Sequence, residues 1–260
     1  YGLALAGGSR WAITGTDVFT AEIVTKFASA MQLKPSEELG QCLFVSSNGD
    51  SRVNTRLGDI VCTLKSGVEN DPLFCHFLDI SRMLAWGMQK RQGLLLHGAL
   101  AELEGDGVIF TAPGGTGKTT ASRRLPPPWI SLSDDAVLVV RNDGEFWAHP
   151  WPTWSRFLEG KPGASWNVHE SVPLKNIFLL VQAEQDQVER IGTGQAVTML
   201  LESARQVLHF WEVQNLEKRR SLHLEQFENV CALVNKIPVH ILSFSLHGVF
   251  WETVEQVLRV

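Results

Sequence analysis

Charge of one sign, tyrosine, clustered cysteine and long apolar runs are all scarce in this chain. Its 260 residues carry 23 Lys and Arg against 28 Asp and Glu, a formal net charge of -5. That balance excludes a protein whose main work is coating nucleic acid or an anionic membrane, and it leaves room for a local basic pocket for phosphates. No apolar run approaches the roughly 18–20 residues of a transmembrane helix, and no signal peptide is visible. The four cysteines, Cys42, Cys62, Cys75 and Cys231, are widely spaced with no C-x-x-C pair. A reduced, cytosolic protein with incidental thiols is the reading. There is no internal repeat and no low-complexity tract beyond Pro126-Pro127-Pro128. The chain opens at Tyr1 rather than Met, so a preceding native segment is expected. What is present is a 44% hydrophobic and 20% charged composition, ordinary for a globular protein, with an unusual nine Trp beside one Tyr. At about 150 residues per domain, the length suits one large or two small domains.

Residues 1–91 read as a small α/β unit. Tyr1–Ala6 and Arg10–Thr14 flank the Gly7-Gly8-Ser9 turn as a hairpin. Thr16 is placed to cap a helix running to about Met31, with Val18, Phe19, Ile23, Phe27, Ala30 and Met31 at helical spacing. Gln41–Ser46 and Asp59–Lys65 read as strands, and Asp71–Lys90 as a helix with Pro72 in its first turn. Cys75 and His76 adjoin, but neighbours on a helix face different ways and no partner follows at ligand spacing. Both take a core or surface role.

Residues 92–260 have a different texture. Leu94–Glu104 and Val108–Ala112 are apolar strands around Gly105-Asp106-Gly107, followed by a glycine-rich loop and a short helix, Gly117–Leu125, stopped by the three prolines. Trp129–Ser133, Ala136–Arg141 and Glu145–His149 read as strands, then a loop spans Pro150–Val172. Asn176–Val181 and Val239–Ser245 are further strands, and helices are expected over about 196–216, 221–235 and 249–258.

The strongest chemical signal is Ala112-Pro113-Gly114-Gly115-Thr116-Gly117-Lys118-Thr119, the core of a Walker A loop with Ala in place of the first glycine. Gly114, Gly115 and Gly117, with Thr116 between, let successive backbone N–H groups converge on a β-phosphate at a helix N-terminus. Lys118 reaches the β/γ-phosphates, and the Thr119 hydroxyl, followed by Thr120, suits Mg²⁺. A strand before and a helix after are the context this motif requires, and a purine triphosphate site follows. Asp134-Asp135, at the end of a strand downstream, suits metal and base work beside a triphosphate. His97, in Leu94-Leu95-Leu96-His97-Gly98, taken alone is an ordinary core histidine.

The order His97-Gly98, Gly114–Thr120, Asp134-Asp135 resembles the catalytic domain of the bacterial HPr kinase/phosphorylase family. The resemblance implies an α/β chain. Its P-loop catalytic domain would be like HPr kinase and phosphoenolpyruvate carboxykinase, a mixed sheet with helices, preceded here by the small N-terminal α/β domain. It further implies Asp134 as catalytic base, His97 as its partner, and Asp135 with Thr119 as Mg²⁺ ligands. In detail the chain is similar to HPr-kinase-like proteins encoded beside ribosomally made peptides, those of the SynChlorMet cassette and the lasso-peptide kinases. Tyr1-Gly2-Leu3-Ala4-Leu5-Ala6, the Trp-Pro stretch after the Asp pair, and Ile237-Pro238-Val239 with Phe250-Trp251 carry this closer likeness. The HPr kinase signature Glu-Ile-Arg-Gly-Leu-Gly is missing. His149-Pro150-Trp151-Pro152-Thr153-Trp154-Ser155-Arg156 stands in its place, so a third metal ligand, phosphorylase activity and HPr as substrate do not carry over.

Trp147, Trp151, Trp154 and Trp166 read equally as an acceptor groove or as rings covering the core. His149 and Arg156 read as surface residues with a phosphate contact as the alternative, and Arg123-Arg124 as solvated helix charges. His169, His209, His223, His240 and His247 show no ligand spacing. The expectation is an ATP- and Mg²⁺-dependent kinase acting on a Ser or Thr hydroxyl of a peptide or small protein, with residues 1–91 and the tryptophan segment recognising the acceptor. A small-molecule kinase and a nucleotide-dependent peptide scaffold are the alternatives, and a homo-oligomer is left open.

Overall fold

The computed structural model describes residues 1–35, 40–49, 51–53, 58–64, 72–113, 115–152, 154, 157, 160, 166–208 and 215–259. Gly114, Thr153, Ser155, Arg156 and His209 lie outside the described residues, as does the end of the strand expected to reach Lys65. The architecture is mixed α/β, with two sheets.

The first sheet has the order β1-β2-β3-β5-β4. Its strands are β1 (Gly2–Ala4), β2 (Arg10–Gly15), β3 (Gln41–Ser46), β4 (Arg52–Val53) and β5 (Ile60–Thr63). β2, β3 and β5 are parallel, while β1 and β4 are antiparallel edges. Alternate residues Trp11 and Ile13, Leu43 and Val45, and Ile60 and Cys62 are buried, the period-two pattern of a sheet covered on that face. Helix α1 (Val18–Ala30) begins one residue later than the Thr16 cap predicts. Asp17 accepts the Thr20 N–H at 2.9 Å, and the Thr20 hydroxyl accepts the Asp17 N–H at 3.2 Å, a reciprocal capping box that Thr16 does not make. Helix α2 (Pro72–Gln89) brings Phe77, Ile80, Leu84 and Met88 into the same core, and His76 is buried edge-on to Phe19.

The second sheet has eight strands. Its strands are β6 (Leu94–Leu103), β7 (Asp106–Thr111), β8 (Ile130–Ser133), β9 (Ala136–Asn142), β10 (Glu145–Trp151), β11 (Val172–Gln182), β12 (Gln187–Arg190) and β13 (Val239–Phe244). β7, β11 and β13 run parallel, whereas β6, β8, β9 and β10 pair antiparallel. β10 also pairs with the start of β11, so the pairings β6–β7–β11–β10–β9–β6 close into a ring. The helices are α3 (Lys118–Arg124), α4 (Thr193–Val207), α5 (Leu216–Lys236) and α6 (Phe250–Leu258). Neighbouring residues of β7 and β11 serve opposite faces. Ile109, Ile177 and Leu179 pack with Ala196, Leu200 and Leu233 of α4 and α5. Phe110 and Phe178 pack with Ala121 of α3 and Phe250 of α6.

Several boundaries depart from the sequence pattern because pairing overrides it. β11 starts at Val172 rather than Asn176, since its first residues pair with Trp147 and Ala148. β12 has no apolar alternation and exists as a polar edge ribbon against β13. The helix expected over 196–216 begins at Thr193, and its described part ends at Val207.

The two sheets share one core. Leu95, Leu138, Val140, Trp151, Trp154 and Trp166 pack with the first sheet and α2. Polar contacts pin the same junction. Asn229 donates to the carbonyls of Gln89 and Gly93 at 2.8 and 3.1 Å, and Gln89 donates to Leu222 O at 2.8 Å. His149 is neither at the surface nor near a phosphate site. It is fully buried, accepts the Ala6 N–H at Nε2 (3.1 Å) and donates from Nδ1 to Val168 O at 2.8 Å, tying the β1–β2 turn to the second sheet.

Burial, ahead of the opposing hydrogen bonds to the backbone, lowers the His149 pKa to about 4. The unfolded chain takes up this proton near 6.5, so below that pH it gains a proton that the folded state refuses until about 4. Stability conferred by neutral His149 is therefore complete above 6.5 and is lost as pH falls toward 4, by roughly 3 kcal/mol. Denaturant titrations from pH 7 to 4 are expected to show that loss in the wild type and a shallower slope in His149→Gln. Equal slopes would remove His149 as the cause. A second expectation concerns Gly87, inside α2. Alanine there would favour an isolated helix by about 1 kcal/mol. Here a Cβ would lie 2.5 Å from the Trp11 ring and 2.6 Å from Ile60 Cδ1. Packing wins, and Gly87→Ala is expected to lower stability by about 1–3 kcal/mol, read as a drop in Tm; a raised Tm would contradict it.

Candidate active site

The site begins with a break in a strand. β8 and β9 both pair antiparallel with β6, and the pairs Leu100↔Ser133 and His97↔Ala136 keep one register. Asp134-Asp135 occupies the two positions between them, and the Gly98 N–H donates to Asp135 O at 3.0 Å. The register thus delivers the Asp pair to His97 across the sheet, although the two are far apart in sequence. Gly98 has a local reason too. A Cβ there would lie 3.0 Å from Ile109 Cγ2 and 3.1 Å from Phe110 O on β7.

His97 meets Asp135, not Asp134. Its Nε2 lies 3.1 Å from Asp135 Oδ1, and its Nδ1 is in contact with Gln206 Oε1. The hydrogen bond from His97 is the largest influence on Asp135; with the positive charges of His97 and Lys118 it outweighs burial and holds this carboxyl below its ordinary pKa. Asp135 is also the more accessible acid, with 48% of its side chain exposed against 8% for Asp134 as a residue. The sequence reading partnered His97 with Asp134; in the structure the bend between β8 and β9 turns the Asp135 carboxylate toward the imidazole.

Helix α4 contributes a framework that no motif announces. Ser203 and Gln206 lie three residues apart, on one helix face. The Ser203 hydroxyl accepts the His97 N–H at 3.1 Å, and the Thr111 hydroxyl donates to His97 O at 2.8 Å. Ser203 and Thr111 also share a 2.8 Å bond. His97 is therefore held through its main chain and both ring nitrogens.

The glycine-rich loop joins β7 to α3. Gly115 and Gly117 have φ of 80° and 107°, a left-handed backbone that side-chained residues rarely adopt. Lys118 is buried and folds over its own loop, donating to Ala112 O at 2.9 Å and Pro113 O at 3.3 Å. Burial lowers its pKa while the nearby Asp135 charge opposes that shift, which places loop and acid within electrostatic reach. Gln182 ties the loop to β11 by donating to Thr116 O at 3.1 Å. Thr119 is half-buried and Thr120 exposed in the first turn of α3. Arg123 is exposed as expected, but Arg124 is not a free helix charge. It donates to Ser245 O at 2.7 Å and to Gly248 O, and lies 5.2 Å from the Phe250 ring centroid.

A cleft of about 230 Å³ opens beside His97 and Asp135. Its walls include Phe74 and Leu78 of α2, Leu95, Trp151, Trp154 and Val207. The tryptophans are core residues: Trp151, Trp154 and Trp166 are buried there and Trp147 packs on them, and Trp151 and Trp154 also wall the cleft. The Trp151 indole N–H donates to the Ser81 hydroxyl at 2.7 Å, which fixes that wall. Among the described residues, no group of three His, Cys, Asp or Glu side chains stands ready to hold a metal ion. A magnesium ion that takes most of its shell from phosphates and water needs only one or two protein oxygens, and Thr119 with the Asp pair supplies that kind of donor. No helix among the described residues is long and apolar enough to cross a membrane.

Comparison with known proteins gives three findings. No curated protein matches the chain. Among solved structures it is similar to the HPr(Ser) kinase/phosphatase from Coxiella burnetii at 13% identity, covering 64% of this chain and 93% of that one with a TM-score of 0.32, a likeness too loose to assign an activity. A family model described as SynChlorMet cassette protein ScmC matches residues 60–259, from β5 to the end of α6, a span that includes His97, the glycine-rich loop and the Asp pair. Matched over more than half its length, the chain belongs to the SynChlorMet cassette protein ScmC family.

Proposed function

We propose that this protein is an ATP- and Mg²⁺-dependent kinase that transfers the γ-phosphate to a Ser or Thr hydroxyl of a peptide or small protein, such as a ribosomally synthesised precursor peptide. The observation that carries this reading is the ionised Asp135, held by His97 at the wall of an apolar cleft and within electrostatic reach of Lys118. Phosphoryl transfer asks a protein for positioning and charge neutralisation more than for covalent chemistry. The backbone of Gly114, Gly115, Thr116 and Gly117 would cradle the phosphates, and Lys118 would leave its own carbonyls to reach them. The divalent cation would neutralise phosphate charge, with Thr119 as its protein ligand and Thr120 beside it. Asp135 would accept the proton of the acceptor hydroxyl, while His97, backed by Gln206 and Ser203, keeps that carboxylate aimed and charged.

This assignment moves the base from Asp134 to Asp135. Residues 1–91 would act as the recognition part and 92–260 as the catalytic part. In support, Phe74, Leu78 and Ser81 of α2 wall the same cleft as the acid and the histidine. A scaffold that only bound nucleotide would need neither the His97–Asp135 pair nor a carboxylate held ionised beside a cleft.

The test is transfer from γ-labelled ATP to Ser- and Thr-containing peptides, with intact mass as readout. Wild type is expected to add one phosphate. Asp135→Asn should lose about 10²–10⁴-fold in kcat with ATP affinity little changed. Asp134→Asn runs in parallel, and a larger loss there would return the base to Asp134. Lys118→Ala is expected to weaken Mg-ATP binding at least about tenfold by calorimetry, the loss of a charge-assisted phosphate contact. Unchanged affinity would overturn the loop assignment.

A further inference from the structure

The cleft beside Asp135 holds a cation that the chemistry above does not use. On α2, residues Phe74, Leu78, Ser81 and Arg82 all line it, at the spacing of one helix face. The Ser81 hydroxyl is taken by Trp151. Arg82 is half-buried, and its Nε is buried with no hydrogen-bond partner. Among the described residues its guanidinium makes no ion pair, and the other ionisable groups lining the cleft, His97 and Asp135, are bound to each other. A buried donor without a partner is unfavourable, and a half-buried cation beside apolar walls gains when an anion joins it. That is the state of a binding group waiting for its ligand.

Position separates this cation from the phosphate loop. Arg82 and Asp135 both line the cleft, whereas no described residue of the glycine-rich loop does. A guanidinium fork matches a planar carboxylate with two parallel hydrogen bonds. The walls between, Leu78, Trp151 and Trp154, accept an apolar or aromatic group. Resting on the kinase reading, we propose that Arg82 is a specificity-determining residue that binds a carboxylate of the acceptor, so that the molecule phosphorylated here carries a carboxylate and an apolar group close to its reactive hydroxyl. The carboxylate can be an Asp or Glu side chain or a chain terminus, since the chemistry Arg82 recognises is the same.

Two measurements test this, one of them independent of transfer. N-acetylphenylalanine and its neutral amide are titrated into the full-length protein by NMR, with wild type, Arg82→Gln and Arg82→Lys. The carboxylate form is expected to bind about tenfold tighter than the amide to wild type, as a charge-assisted pair should. Arg82→Gln should abolish the difference and Arg82→Lys retain part of it, with Mg-ATP affinity preserved in all three as the check on folding. Equal binding of acid and amide to wild type, or a preference that survives Arg82→Gln, overturns the proposal. In the second, serine peptides with an Asp side chain, with a free C-terminus, or neutral throughout serve as acceptors. Arg82→Gln is expected to raise KM for whichever carboxylate peptide the wild type prefers. A loss confined to kcat and equal for charged and neutral acceptors overturns the proposal, because Arg82 would then serve the transferred phosphoryl group. If no peptide is phosphorylated while N-acetylphenylalanine still binds through Arg82, the kinase reading fails and the carboxylate site stands.

Discussion

Everything chemical in this molecule depends on one strand having two neighbours on the same edge. β6 pairs first with β9 and then with β8, and the chain between those partners is Asp134-Asp135. A continuous strand would spend both acids on ladder positions. The break leaves the Gly98–Asp135 main-chain bond to keep the register and releases the Asp135 carboxylate toward His97. His97 and the Asp pair, which share no local interaction in the sequence, are thereby brought within hydrogen-bond distance by backbone pairing alone.

Around that break the two faces of the second sheet divide the labour. One face takes α4, whose Ser203 and Gln206 hold the main chain and ring of His97. The other carries α3 and α6, packed on Phe110 and Phe178, and this face sets the loop that carries Lys118. Because β7 contributes Ile109 to one core and Phe110 to the other, loop and histidine are linked through a single rigid strand. The first sheet completes the site indirectly. Through α2 it delivers Phe74, Leu78 and Arg82 to the cleft, and its attachment rests on a shared core that includes Trp151 and Trp154. Trp151 and Trp154 thus serve two places at once, since the rings that bury the junction also wall the cleft.

Polar pins at this junction follow the same economy. His149 satisfies one amide and one carbonyl from two distant segments and is kept neutral by burial. Where α2 hands the chain to β6, the Asn229 side-chain amide donates to two carbonyls and that of Gln89 to one. Directional bonds of this kind favour one relative arrangement of the elements they join.

Local sequence determined what depends on neighbouring residues. The strands Gln41–Ser46, Leu94–Leu103 and Val239–Phe244, the helix before Gln89, and the glycine-rich turn into α3 follow apolar period, proline and glycine positions read along the chain. The glycine-rich loop with Lys118 and the Asp134-Asp135 pair stood out by residue type and order, and His97 joined them only through the family resemblance. Tertiary structure alone decided the rest. It set which acid meets the imidazole, since that turns on the bend at Asp134-Asp135 between β8 and β9. It raised β12 from a polar segment by pairing it with β13, and buried His149 beneath a loop. It also brought Ser203, Gln206 and Arg82 to the site from helices whose local sequence reads as ordinary amphipathic surface. The reason is physical: propensity and periodicity act over a few residues, whereas a carboxylate, an imidazole and a guanidinium acquire their roles from what is packed within a few ångströms of them, and only the folded chain sets that.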